Sequence, residues 1–208
     1  MPVLQTHADP LWGIWKIEET WEEMLRQLDR QTDYISYINN CKSDNRKKEW
    51  LAVRLLLKTL TGKEMKIAYH SNGTPYLIDS EYNISISHTK GYAAVCLNRG
   101  KPAGIDIEHR SERIHKIKSR FLNEQEWEIL GANPSTDTLL ICWCVKEATF
   151  KLTGRQTADW QKDFHILTLE HSSCNNGIAT VKETLTPRSA TCRISYHIYP
   201  EFIVAYSL

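Results

Sequence analysis

Apolar residues recur at three- and four-residue spacing in two stretches of the chain, from about Arg46 to Leu60 and from about Asp137 to Leu152. That period predicts two strong helices, and Gly62 and Gly154 stand where each should stop. Shorter helical patterns cover Thr20–Leu28 and Tyr34–Asn39, and a charged helical region runs from Arg113 to Leu130 until Gly131-Ala-Asn-Pro134 breaks it. Elsewhere the period falls towards two. Leu11–Ile17, Lys66–His70, Pro75–Ile78, Tyr82–His88, Tyr92–Leu97 and Ala103–His109 read as strands, as do Phe164–Leu169, Gly177–Val181, Cys192–Tyr199 and Phe202–Tyr206.

The two long helices resemble each other. Val53-Arg-Leu-Leu-Leu-Lys-Thr-Leu-Thr-Gly62 aligns without gaps on Val145-Lys-Glu-Ala-Thr-Phe-Lys-Leu-Thr-Gly154. Downstream, the hairpin from Ile84-Ser85 to Leu97 aligns on the one from Ile194-Ser195 to Ser207. The pattern predicts an α+β fold of two pseudo-symmetric halves, residues 1–102 and 103–208, each a helix on a small, mainly antiparallel sheet.

Charge changes the picture by exclusion. Lys and Arg number 26 against 25 Asp and Glu, too even a balance for a chain that coats nucleic acid or an anionic membrane. No apolar run approaches the length of a membrane span, and the start lacks the basic and apolar regions of a secretion signal. The six cysteines show neither a CxxC nor a zinc-type spacing, so they read as reduced thiols. The expectation is a cytoplasmic protein.

Candidate chemistry sits in three segments. In Gly104-Ile-Asp-Ile-Glu-His109, strand geometry puts Asp106 and Glu108 on one face and Ile105 and Ile107 on the other. Paired carboxylates repel, and a hard divalent cation such as Mg²⁺ resolves that cost; two ordinary surface acids on an exposed strand would give the same pattern. In Trp143-Cys-Val-Lys-Glu-Ala-Thr-Phe-Lys151, Glu147 and Lys151 share a helix face. They make either a helix ion pair or, with that helix beside Asp106, a third carboxylate with Lys146 and Lys151 as phosphate ligands. Trp143 reads as packing. In Ile84-Ser-Ile-Ser-His88, the serines point one way and Ile84, Ile86 and His88 the other. Arg54 interrupts an apolar helix face and either snorkels or meets an anion. Arg110, Arg113, Lys116, Lys118 and Arg120 form a local basic run, a solvated face or a dock for an acidic partner.

Taken in order, these segments resemble the 4'-phosphopantetheinyl transferases of the larger, surfactin-synthetase-activating type. The resemblance rests on Gly104–Glu108, Trp143–Lys151, Ser87-His88, Arg54 in Glu49-Trp-Leu-Ala-Val-Arg54, and Ser119–Glu126. Where many members have Gly-Lys-Pro, this chain has Gly73-Thr-Pro75, so a nucleotide-binding lysine is missing.

The resemblance implies a monomer with its site in the cleft between the halves, moving the phosphopantetheine arm of coenzyme A onto a serine of an acidic acyl or peptidyl carrier protein. By the same resemblance Asp106, Glu108 and Glu147 hold Mg²⁺, and Lys146 and Lys151 contact the phosphates. Glu147 and Lys151 assist transfer, and Arg54, Ser87 and His88 bind at the 3'-phosphate. Arg113, Lys116 and Arg120 would dock the carrier. A Mg²⁺-dependent coenzyme A hydrolase and a non-catalytic carrier-binding homologue use the same residues differently.

Overall fold

The computed structural model describes residues 3–8, 10–154, 156–173 and 175–208. Met1, Pro2, Asp9, Arg155 and Cys174 lie outside the described residues. Two helices of 18 residues each, α3 (Asp44–Thr61) and α6 (Thr136–Thr153), are built alike. The Ser43 hydroxyl accepts the amide of Arg46 at 3.4 Å, and the Ser135 hydroxyl that of Thr138 at 3.1 Å. Each cap satisfies an otherwise orphaned N–H of the first turn. Gly62 (φ 74°) and Gly154 (φ 62°) close the helices in the left-handed region that disfavours a side chain.

The first half runs β1 (Val3–Ala8), β2 (Leu11–Lys16), α1 (Trp21–Arg26), α2 (Gln31–Asn40), α3, β3 (Ile67–Tyr69), β4 (Pro75–Leu77), β5 (Tyr82–Thr89) and β6 (Tyr92–Arg99). The second runs β7 (Ile105–His109), α4 (Ile114–Phe121), α5 (Glu124–Leu130), α6, β8 (Phe164–Ser173), β9 (Asn176–Glu183), β10 (Thr191–Ile198) and β11 (Phe202–Ser207). Strand orders are β1-β2-β6-β5 and β7-β11-β10-β9-β8, all antiparallel, with β3-β4 a separate ribbon. The repeated unit is therefore strand, helix, hairpin: β2-β6-β5 matches β7-β11-β10. Even the register repeats, since Ile84 faces Leu97 and Ile194 faces Ser207.

Each long helix packs its apolar side on its own sheet, Leu51, Leu55 and Leu56 in one core and Leu140, Ile141 and Cys144 in another. A third core joins the halves. Trp12, Ile14, Tyr92, Ala94 and Cys96 meet Ile105, Ile107, Phe202, Val204 and Tyr206 there. Both β6 and β11 are thus covered on both faces, which is why Tyr92–Leu97 and Phe202–Tyr206 run apolar without alternation. Full burial of one such aliphatic or aromatic side chain is worth about 1.5–3 kcal/mol.

Polar stitches complete the seam. Ser85, Ser87 and Thr89 stand at every second position of β5. Ser85 accepts the Ile105 amide at 3.0 Å, Ser87 donates to Asp106 at 2.8 Å, and Thr89 accepts the His109 amide at 3.0 Å. On the far side of β7, a methyl at Gly104 would collide with the Ala148 carbonyl oxygen. Only glycine lets β7 press against α6 there, and that contact brings the Asp106 strand beside the Glu147 helix.

Two elements differ from the pattern-based expectation. The charged region Arg113–Leu130 is two helices, because Asn123 caps a new one. Its side chain accepts the Glu126 amide at 2.9 Å, while the Glu126 carboxylate accepts the Asn123 amide at 3.0 Å. Val3–Ala8 adds an edge strand that mostly exposed side chains left without alternation. Among the described residues, no helix is long and apolar enough to cross a membrane.

A candidate active site between the halves

One wall of the cleft is acidic and comes from β7 and α6. Asp106, only 4% exposed, accepts from the Ser87 hydroxyl and from Lys151 Nζ (2.9 Å), both on Oδ1. Its other oxygen, Oδ2, is buried with no hydrogen-bond partner among the described residues. Lys151 Nζ also donates to the Ile105 carbonyl at 2.7 Å. Glu108 accepts from the Trp143 indole N–H at 3.1 Å. Trp143 therefore does more than pack between Phe121 and Trp160: it orients a carboxylate. Burial, then the charge of Asp106, pushes both Glu108 and Glu147 up to about 7. Lys151 opposes the shift at both. Three acids thus share one electrostatic neighbourhood, two of them poised near neutral pH.

The opposite wall is cationic and comes from α3, β5 and the β3–β4 ribbon. Arg54 and His88 share a cavity of about 240 Å³ with Tyr37, Arg46, Trp50 and Tyr69, and with Glu49 as its one carboxylate among the described residues. The Arg54 guanidinium stacks on the Trp50 ring, 3.0 Å from its centroid, and donates to the Trp50 carbonyl at 2.9 Å. Burial draws its pKa down to about 10, so it keeps its charge at neutral pH. Burial likewise lowers His88, whose Nε2 lies 2.8 Å from Arg46 Nη1; the same guanidinium donates to Glu49 at 3.1 Å. A second cavity continues this one past Gly73, Pro75 and Ile86 to Thr74, Phe150 and Lys151. Asn72, in the turn before β4, donates to the Gly154 carbonyl at 2.9 Å and ties that ribbon to the end of α6.

Asp106, Glu108, Glu147 and Lys151 therefore come together, as do Arg54 and His88. Two expectations need correction. Lys146 is wholly buried and lines neither cavity: its ammonium donates to Glu126 (2.8 Å), the Phe121 carbonyl (2.6 Å) and the Trp160 carbonyl (2.9 Å). Helix phase explains this, since the residue before Glu147 points into the core that Glu147 avoids. Ser87 points away from His88, and its hydroxyl is committed to Asp106. Arg113, Lys116 and Arg120 are exposed along α4. Arg113 lines a groove with Ile114, Ile117, Leu140, Trp143 and Glu108.

Arg46 and Glu126 were missed. Arg46, Trp50 and Arg54 fall at four-residue spacing on one helix face, and Asn123-x-x-Glu126 is a capping-box pattern, so both carried a usable signal. Among the described residues, no three His, Cys, Asp or Glu side chains are gathered at metal-ligating spacing. The donor set still fits a hard divalent cation, because a buried carboxylate oxygen without a partner stands among further carboxyls.

Comparison with known proteins gives one consistent answer. A family model described as the 4'-phosphopantetheinyl transferase superfamily matches residues 102–207. The chain is 29% identical over 134 residues to the 4'-phosphopantetheinyl transferase gsp of Aneurinibacillus migulanus, covering 61% of this chain and 55% of that protein. It is 30% identical over 148 residues to a Haemophilus influenzae protein that provisionally carries the same activity name, covering 66% and 60%. The matches thus span little more than half the length of these relatives.

Proposed function

The chain belongs to the 4'-phosphopantetheinyl transferase superfamily, and from that premise we propose that it transfers the phosphopantetheine arm of coenzyme A to a serine of an acyl or peptidyl carrier protein. In this reading it is a Mg²⁺-dependent, monomeric, cytoplasmic enzyme of the surfactin-synthetase-activating type. The observation that supports the reading is a run of adjoining cavities from Arg54, Arg46 and His88 to Lys151, whose ammonium sits on Asp106 within the acid cluster of Asp106, Glu108 and Glu147.

Coenzyme A has a 3'-phosphate at one end of its nucleotide and a pyrophosphate at the other. The cationic wall suits the 3'-phosphate, with Arg54 and His88 as ligands. Arg46 lies in the same cavity and makes up for the lysine absent at Thr74. Asp106, Glu108 and Glu147 would hold the cation, which when bound offsets charge on the pyrophosphate. Lys151, at the junction of trough and acids, meets the phosphates from the other side. The carrier serine attacks the β-phosphorus; a new P–O bond forms, the bond to the bridging oxygen breaks, and adenosine 3',5'-bisphosphate leaves. Glu147, beside the β-phosphorus in this reading, would take the serine proton as general base. The exposed cations Arg113, Lys116 and Arg120 suit the acidic surface of a carrier.

The test is the intact mass of an apo carrier protein after incubation with coenzyme A, Mg²⁺ and this chain. A gain equal to one phosphopantetheine, abolished by EDTA, is expected. Loss of coenzyme A without any gain on several carriers would replace the reading with a hydrolase; neither change would replace it with a binding-only protein.

A further inference from the structure

Lys151 occupies an odd place for a phosphate ligand. Its ammonium is not directed into the trough but sits on Asp106 Oδ1 at 2.9 Å and on the Ile105 carbonyl at 2.7 Å. Asp106 is almost wholly buried, and Ser87 donates to the same oxygen, while Oδ2 has no hydrogen-bond partner among the described residues. A buried carboxylate flanked by two further carboxyls needs a positive charge close by, and Lys151 is the cation the structure puts on it. A lysine that holds Asp106 through Oδ1 and a divalent cation that would take it through Oδ2 draw on the same negative charge and repel each other across one carboxylate.

The surroundings give Lys151 somewhere else to go. Its side chain is one quarter exposed and already lines the cavity that holds Gly73, Thr74, Pro75 and Phe150. A rotation of the flexible stem, with no backbone movement, carries the ammonium from the carboxylate into that space. Lysine suits such an exchange better than arginine, because a compact ammonium makes no two-pronged grip on the carboxylate that would have to break at once.

We infer that Lys151 is the resident counter-ion of the acid cluster, and that its ammonium leaves Asp106 for the trough when a divalent cation loads the site. This rests on the proposed function and adds an order to it: the lysine becomes available to the pyrophosphate only after the acids have gained another positive partner. A site without cation therefore keeps its phosphate-binding lysine engaged, which couples the two ligands without any moving loop.

The test uses the full chain and Mg²⁺ alone, without coenzyme A or carrier. In protein carrying ¹⁵N-lysine, the Lys151 ammonium resonance, assigned by its absence in Lys151→Met, should be observable in EDTA because it is bonded and slow to exchange. Saturating Mg²⁺ should shift or abolish it. Calorimetry alongside should give Mg²⁺ binding that Asp106→Asn removes and that Lys151→Met tightens by about tenfold, since a competing charge is gone. An ammonium signal unchanged at saturating Mg²⁺, or missing in EDTA, overturns the exchange, as does Mg²⁺ binding to Lys151→Met no tighter than to the native chain. Absence of any Asp106-dependent Mg²⁺ binding in the native chain would instead sink the Mg²⁺ part of the proposed function, and the exchange with it.

Discussion

α3 and α6 have the same length, the same serine cap and the same glycine stop, and each buries a cation at the same position, Arg54 in one and Lys146 in the other. The fates of those cations differ. Around Arg54 the chain supplies ring faces, Trp50 at 3.0 Å and Tyr34 at 5.9 Å, and an open cavity, with no carboxylate of the described residues paired to the guanidinium. Around Lys146 it supplies a buried carboxylate and two carbonyls, and no opening. A delocalised guanidinium tolerates stacking and still presents donors, while an ammonium in a core needs every proton accepted. The repeat thus fixes where a cation stands, and its neighbours decide whether it lines an open cavity or holds helices together. One buried cation faces the cleft; the other pins α5 and β8 to α6, since Glu126 also accepts the Ile166 amide at 2.8 Å.

The largest expected effect breaks this comparison at Lys146. Lys146→Met leaves Glu126 buried without its cation and should cost about 3–5 kcal/mol in chemical denaturation, partly recovered when Glu126→Gln is added. Arg54→Ala should cost only about 0.5–2 kcal/mol of stability, the value of its ring contact. Asp106→Ala inverts the pattern: the fold should persist, while carrier loading followed by mass falls about 10²–10³-fold. Arg54→Ala should raise the KM for coenzyme A by about 10- to 100-fold, as expected for a lost charged hydrogen bond, and leave dephospho-coenzyme A nearly unchanged. A weaker effect concerns pH. Glu108 and Glu147, raised from 4.5 to about 7, favour the folded chain while protonated. That contribution is complete below about 4.5 and lost as pH rises through about 7. In EDTA the Tm should therefore fall between about pH 5 and pH 8, and Asp106→Asn should flatten the slope. Smallest of all, Arg113→Glu on the exposed rim should raise the carrier KM about two- to fivefold, less in high salt.

Much of this was legible in the sequence. The helix period and the stop glycines predicted α3 and α6, and the aligned segments predicted the two matching hairpins β5-β6 and β10-β11. The acid pair of β7 was readable because strand alternation alone puts Asp106 and Glu108 together. What failed was the side-chain direction of residues adjacent to a motif. Lys146 is next to Glu147 in the chain, but a helix turns about 100° per residue, so one faces the cleft and the other the core. Strand alternation did put Ser87 and His88 on opposite faces; what failed there was the shared 3'-phosphate role taken from the resemblance, because the Ser87 hydroxyl is committed to Asp106. The Arg46–His88–Glu49 contact joins α3 to β5 across a long sequence gap, and no local pattern reports such a meeting.

The division of labour between the walls is tested most directly by calorimetric binding of adenosine 3',5'-bisphosphate to the native chain, Arg54→Ala and Asp106→Ala. Binding that survives Asp106→Ala and EDTA but weakens at least tenfold in Arg54→Ala would place the nucleotide's 3' end on the cationic wall, as the account requires. Equal losses in both variants, or a loss confined to Asp106→Ala, would contradict it.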